Sequence, residues 1–163
     1  MSNSHRLALG DITPNNLGQL RKLNTVLFPV TYSDQFYKDV MEVGEYAKLG
    51  YFNDICVGAV CCRVEPIEGD KHTARLYMMT LGVLGPYRGY GLGKELLDHI
   101  LKYAKSSTNP RIHDIYLHVQ TSNKEALSFY QKAGFEVKET VQNYYRNIEP
   151  RDAYLLIKTL DSQ

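Results

Sequence analysis

The spacing of hydrophobic positions changes several times along the chain, and each change marks an element. "RLALGDI", residues 6–12, is the first strand candidate. Thr13 and Pro14 follow, after which Leu17, Leu20, Leu23 and Leu27 recur every three or four residues, the stripe of an amphipathic helix. The proline in "FPVTYSDQFYKDVMEVG" breaks that helix. Ser33 or Asp34 can cap a second helix carrying Phe36, Val40 and Val43. The segments "YAKLGYFND", "ICVGAVCCRVE" and "ARLYMMTLGVL" are rich in β-branched and aromatic residues. With the turn-formers Asn53-Asp54 and "PIEGDKHT" between them, they predict an antiparallel meander of three strands.

A glycine-rich stretch, "GPYRGYGLGK", then leads into Leu92, Leu96, Ile100 and Ala104, a core stripe at helical spacing. After the polar break "KSSTNPR", the segment "IHDIYLHVQ" alternates: Ile115, Leu117 and Val119 point one way, Tyr116, His118 and Gln120 the other. In "SNKEALSFYQKAGF", Ser122 and Glu125 have capping-box spacing, and Gly134 stands where a helix end favours a left-handed residue. The strand "FEVKETV", the loop "QNYYRNIEPR" and the strand "DAYLLIKTL" complete the pattern. The order β-α-α-β-β-β-α-β-α-β-β predicts an α/β protein, a mixed sheet of about seven strands flanked by about four helices. At 163 residues a single domain over 1–163 is expected, with 1–5 and 161–163 as flexible tails.

Composition narrows the function classes. Nineteen basic against 18 acidic residues give a net charge of +1, and no block of like charge offers a footprint for nucleic acid or acidic lipid. No apolar run approaches the roughly 20 residues that span a bilayer. The start "MSNSHRLALG" lacks the apolar core of a signal peptide, so a cytoplasmic or nuclear protein is expected. Cys56, Cys61 and Cys62 lie in the apolar run "ICVGAVCC" without paired metal-ligand spacing, and are expected to be reduced core residues with no metal. A small ligand or a peptide is the expected partner.

The glycine stretch can be tested against known phosphate loops. A P-loop requires glycine where Arg88 stands and Ser or Thr where Glu95 stands; a dinucleotide fingerprint requires G-x-G-x-x-G, whereas Gly89, Gly91 and Gly93 are spaced G-x-G-x-G. The spacing that fits is R-x-x-G-x-G from Arg88 to Gly93 between a strand and a helix, which resembles the pyrophosphate signature of the GCN5-related acetyltransferases (GNAT). "MMTLGVLGPYRG" and "SNKEALSFYQKAGFE" resemble segments of the same family in the expected order. The resemblance implies the GNAT fold and acetyl-CoA as cosubstrate. It places the pyrophosphate on Arg88, Gly89, Tyr90, Gly91, Leu92, Gly93 and Lys94, and the pantetheine arm along the backbone of Leu81, Gly82 and Val83. It sets Asn123 near the thiol end and Tyr130 near the sulfur. Asn123 serving only its helix start, Tyr130 as a plain core aromatic and the glycines as an empty turn are the competing readings.

Four further segments, "LNTVLFPVTYSDQFYKDV", "RLYMMTLG", "IYLHVQTSN" and "NYYRNIEPRDAY", are similar to the catalytic subunits of NatE-type N-terminal acetyltransferases, with a resemblance running from about residue 6 to 160. That similarity implies Tyr77 and His118 as the catalytic pair. It implies a peptide pocket of Phe28, Pro29, Val30, Tyr32, Met79, Tyr144, Tyr145 and Ile148, and acetylation of a retained methionine followed by a mainly hydrophobic residue. Peptide or nascent-chain N-termini are the implied substrates, and the catalytic and auxiliary subunits of NatA at the ribosome the implied partners. The chemistry of the residues is compatible: His118 has the unperturbed pKa of a modest base, and Tyr77 can relay a proton or protonate the departing thiolate. Two alternatives stay open on sequence alone. One is a non-catalytic or weakly active acetyl-CoA-binding subunit of a larger NatA/NatE assembly. The other is transfer to lysine or small amines.

Overall fold

The computed structural model describes residues 6–28 and 30–160. Its strands are β1 (Leu7–Asp11), β2 (Ala47–Phe52), β3 (Ile55–Ile67), β4 (Asp70–Val83), β5 (Arg111–Gln120), β6 (Glu136–Val141) and β7 (Ala153–Thr159). The helices are α1 (Leu17–Leu27), α2 (Asp34–Val40), α3 (Leu92–Ser106) and α4 (Lys124–Lys132). The strands form one sheet in the order β1-β2-β3-β4-β5-β7-β6, mixed because β4 and β5 run parallel while β5–β7 and β6–β7 are antiparallel. Seven strands and four helices match the reading of the hydrophobic pattern. The tails 1–5 and 161–163 lie outside the described residues. No helix among the described residues is long and apolar enough to cross a membrane.

Contacts divide the chain into two compact units, Met1–Arg63 with Met78–Ser106 and Val64–Tyr77 with Ser107–Gln163. In the first, β1 pairs antiparallel with β2 and β2 with β3. Leu20 and Leu23 of α1, Phe36, Tyr37 and Val40 of α2, and Leu49 and Cys61 of the strands are buried together. Burial of such side chains contributes roughly 1.5–3 kcal/mol each before entropy is counted. Ser33 caps α2, its Oγ accepting from the Phe36 N–H at 3.2 Å. That helix stops at Val40, so Val43 falls outside it, contrary to the periodic reading; Gly44, at φ +62°, turns the chain into a short 3-10 segment instead. Helix α3 buries Leu92, Leu96, Leu97, Ile100 and Ala104. A Cβ at Gly50 would stand 3.1 Å from the Leu92 side chain, so this glycine lets α3 lie close on the sheet.

"PIEGDKHT" does not separate two short strands. β3 and β4 run on through it and the turn shrinks to Glu68-Gly69, with Gly69 at φ +81° supplying the left-handed position of a tight hairpin. In the second unit, Asn123 rather than Ser122 caps α4, its Oδ1 accepting from the Ala126 N–H at 3.1 Å. The capping-box reading is therefore displaced by one residue. Gly134, at φ +97°, ends the helix in the left-handed conformation, and the Phe135 N–H reaches back to the Tyr130 carbonyl at 3.1 Å.

The β4–β5 ladder contains an irregularity. Ala74 pairs with Ile112 and Leu76 with Ile115, so one residue of β4, Arg75, opposes two of β5, His113 and Asp114. Ile112 and Ile115, three apart, are consequently both buried. Asp114 lies in this bulge at 6% exposure, with Oδ1 accepting from Arg75 Nε at 2.8 Å and Oδ2 lying 3.2 Å from His113 Nδ1. Replacing Asp114 with Ala strips Arg75 of its partner and frees the bulge. The expected loss is about 1–3 kcal/mol in urea unfolding; a change below ~0.5 kcal/mol would show that the bulge needs no clamp.

Candidate active site

In the parallel ladder Tyr77 stands directly opposite Tyr116, and His118 is two residues further along β5 on the same face. The Tyr77 hydroxyl lies 2.9 Å from His118 Nδ1 and 2.9 Å from the Tyr144 hydroxyl. The Tyr144 ring stacks on the His118 imidazole at 4.1 Å between centroids and 18° between planes, and Tyr145 meets Tyr144 edge-on at 4.9 Å. Tyr144 and Tyr145 belong to the loop between β6 and β7, which is pinned at three points. The Tyr145 N–H donates to the Arg151 carbonyl at 2.9 Å, the Asn143 N–H to Asp152 Oδ1 at 2.9 Å, and Gln120 Nε2 to the Pro150 carbonyl at 2.9 Å. Asn143 takes φ +56°, a conformation asparagine tolerates better than most residues. Ile148, half-buried, completes the loop.

Both central groups are held neutral. Burial is the largest cause that pushes the Tyr77 phenol far above its ordinary value. Burial pulls the His118 imidazole below its ordinary value, with the Glu139 carboxylate opposing the shift. Glu139 on β6 and His118 on β5 are both in register with Leu155 of β7, which puts them on one face of the sheet. Tyr145 is pushed up to about 12 by burial. A neutral imidazole that accepts at Nδ1 carries its proton on Nε2, so the favoured arrangement has the Tyr77 O–H donating to His118 and accepting from Tyr144. Such a constellation can take up a proton through the tyrosine.

In the other unit, the segment 88–94 has the form of an anion cradle. Gly89 and Gly91 adopt φ +86° and +93°, and a Cβ at Gly89 would meet nothing within 4 Å, so no neighbouring side chain crowds the turn that leads into α3. A phosphate-bearing ligand fits this chemistry, since the helix N-terminus supplies both donors and a positive field. Arg88 is exposed and its Nε donates to the Val83 carbonyl at 2.8 Å, bracing the loop. Within the loop, Leu92 buries its side chain in the core, Lys94 Nζ pairs with Asp98 at 2.6 Å, and the Tyr90 ring rests on Phe52 at 4.8 Å. Leu81 and Gly82 are half-buried and Val83 is buried, and Gly93 is half-buried. Gly82 admits Leu27 and Phe28, each 3.0 Å from where its Cβ would stand.

The remaining sequence candidates fall as follows. Phe28, Val30 and Tyr32 line a cavity of about 550 Å³ together with Arg21, Asn24 and Tyr37, which the sequence reading did not single out. Tyr32 stacks on Phe36 at 4.6 Å, and Met79 packs against the same core. Pro29 lies outside the described residues. Asn123 spends its side-chain oxygen on capping α4, and Tyr130 is buried edge-on to Phe129 and Phe135. Cys61 and Cys62 are fully buried, and burial raises both thiols, Cys61 to about 12; Cys56 is half-buried. No group of three His, Cys, Asp or Glu side chains suited to a metal occurs among the described residues. Tyr116, which packs against the Tyr77 ring, and the Glu65, Arg75 and Asp114 chain behind it were missed as site residues. The only sequence signal was the alternation placing Tyr116 on the face of His118.

Comparison with known proteins places these features in a family. The model of the acetyltransferase (GNAT) family matches residues 17–135. The chain is 57% identical over 157 residues to the Danio rerio protein named N-alpha-acetyltransferase 50, covering 96% of this chain and 90% of that protein. It is 53% identical over 154 residues to the Drosophila melanogaster protein named probable N-acetyltransferase san, covering 94% and 81%. Among solved structures, that of Arabidopsis thaliana Naa50 with the bisubstrate analogue CoA-Ac-MVNAL superimposes with a TM-score of 0.87 at 51% identity, covering 94% of this chain and 99% of the other.

The electrostatics of His118 give a direct check. Because Glu139 favours the charged imidazole, Glu139→Gln should move the His118 titration further to acid, read from the imidazole resonances in an NMR pH series. A shift toward alkaline pH would contradict the assigned geometry.

Proposed function

The chain belongs to the acetyltransferase (GNAT) family, and on that premise we propose that it acetylates protein N-termini, with methionine followed by a hydrophobic residue as the preferred start. The observation that carries this reading is the hydrogen-bonded Tyr77–His118–Tyr144 constellation with Tyr77 and His118 both held neutral. It is supported by the high identity to relatives named as N-alpha-acetyltransferases and to a protein solved with an analogue whose peptide begins MV. The cradle at 88–94 fits the pyrophosphate of acetyl-CoA, which brings an acetyl thioester when bound.

Acyl transfer to an amine needs that amine unprotonated. With pKa values of about 8 for an α-amine and about 10.4 for lysine, removing the proton at pH 7 costs roughly 1.4 and 4.6 kcal/mol respectively. A modest base is therefore matched to an N-terminus and poorly matched to a lysine. Tyr77 passes its hydroxyl proton to His118 Nδ1 as it takes one from the substrate amine, and the hydrogen bond from Tyr144 steadies the tyrosine oxygen during the exchange. The proton thus ends on the imidazole; the neutral amine nitrogen then bonds the acetyl carbon as the C–S bond breaks, and its second proton goes to the departing thiolate.

The state of the buried thiols supports direct attack in a ternary complex. A covalent route needs an accessible thiolate, whereas Cys61 and Cys62 are fully buried with raised pKa values. Phe28, Val30 and Tyr32 form the apolar part of a mixed cavity lining, and that part suits the uncharged side chain of methionine.

Initial rates of coenzyme A release test the proposal with three peptides: one beginning Met-Leu, one beginning Ser-Glu, and an acetyl-blocked Met-Leu peptide with an internal lysine. The free Met-Leu peptide should exceed the others by roughly tenfold or more. Mass spectrometry of protein incubated with acetyl-CoA alone should find no acetylated cysteine. Equal turnover on the blocked peptide would reassign the acceptor to lysine, and absence of turnover on all three would remove the enzymatic reading.

A further inference from the structure

Tyr77 presents its ring on a half-open face of the sheet, and a long side chain hinged at Cα moves its hydroxyl appreciably for a small rotation. Two contacts hold the hydroxyl end, His118 Nδ1 and the Tyr144 hydroxyl, each at 2.9 Å. Something must also hold the ring. Tyr116, directly opposite in the β4–β5 ladder, packs against it with centroids 4.7 Å apart and planes inclined by 44°. Tyr116 is itself fixed from two directions. Its hydroxyl donates to Glu65 Oε1 on β3, and the Arg75 guanidinium lies 4.1 Å over its ring. Arg75 is in turn anchored by its 2.8 Å bond to the bulge residue Asp114. Three side chains from two strands, Glu65 of β3 with Arg75 and Tyr77 of β4, therefore meet on Tyr116 of β5.

We propose that Tyr116, clamped by Glu65 at its hydroxyl and by Arg75 over its ring, is the positioning residue that keeps the Tyr77 hydroxyl on His118 Nδ1. This rests on the reading of Tyr77 and His118 as the reactive pair. Tyr116 acts through Tyr77 and leaves peptide and acetyl-CoA binding untouched. Displacement of a reacting group by about 1 Å can cost on the order of 100-fold in rate, so a modest loosening of the ring is enough to be measured.

The test compares full-length Tyr116→Phe, Tyr116→Leu and Glu65→Gln with the unmodified chain, by steady-state kinetics on a Met-Leu peptide and by the ¹⁵N resonance of His118 Nδ1 without substrate. Tyr116→Leu should lower kcat about tenfold or more with both KM values within about twofold, and should move the Nδ1 resonance toward that of an unbonded imidazole nitrogen. Tyr116→Phe, which keeps the ring and loses only the Glu65 bond, should retain more kcat than Tyr116→Leu, with Glu65→Gln behaving like it. If Tyr116→Leu does not fold, the other two variants carry the same comparison. An unchanged Nδ1 resonance, or a loss expressed in KM with kcat intact, would overturn the proposal. Should the unmodified chain leave the peptide unacetylated, the functional reading falls while the resonance still decides whether Tyr116 positions Tyr77.

Discussion

The chemistry of the second unit depends on one extra residue in β5. Side chains of a strand alternate between faces, so a slip of one position carries every following side chain to the opposite side. The bulge at His113-Asp114 makes that slip. Because of it Ile112 and Ile115 both face inward, and Tyr116 and His118 emerge on the face of Tyr77 instead of joining the core with Leu117 and Val119. An unpaired carboxylate buried at this depth would cost several kcal/mol. Asp114 avoids that cost by bonding Arg75 and His113. The guanidinium fixed in this way also covers the Tyr116 ring, so the group that stabilises the bulge touches the ring that packs on Tyr77.

The same constellation explains why the site uses neutral groups. Burial disfavours both the phenolate of Tyr77 and the imidazolium of His118, which leaves a donor and an acceptor facing each other at 2.9 Å. A relay of this kind suits an acceptor amine whose proton is already loosely held, and an N-terminus meets that condition where lysine does not. The opposite strategy appears at 88–94. There, positive-φ glycines stand at a helix N-terminus, a chemistry that suits an anion, and the Arg88 side chain braces the loop.

Much of this was legible in the sequence wherever local physics decides the outcome. The stripe Leu92, Leu96, Ile100, Ala104 became the buried face of α3, Gly134 took the left-handed position, and the alternation of residues 115–120 held. Local rules misled where tertiary pairing overrode them. "PIEGDKHT" carries turn residues along its length, but only Glu68-Gly69 turns, because the flanking residues gain ladder hydrogen bonds by extending β3 and β4. Asn123 took the cap from Ser122, two side chains with almost equal intrinsic capping strength. For the site, Tyr77 and His118 came from a family resemblance and not from periodicity. Tyr116, Glu65, Arg75 and Asp114 could not be found locally, since their contacts join residues 39 to 51 positions apart. The odd spacing of Ile112 and Ile115 was the one trace of the bulge that brings them together.

The most direct test of the account is the rate constant kcat of Tyr77→Phe on a Met-Leu peptide, measured beside its affinity for acetyl-CoA. Removing one oxygen breaks the relay to His118 and leaves the ring packing on Tyr116 in place. If the hydroxyl carries the proton, kcat falls by about 100-fold or more while acetyl-CoA binds as before. A variant that turns over within about threefold of the unmodified chain would show that the proton leaves by another path, and that the Tyr77–His118 bond is structural.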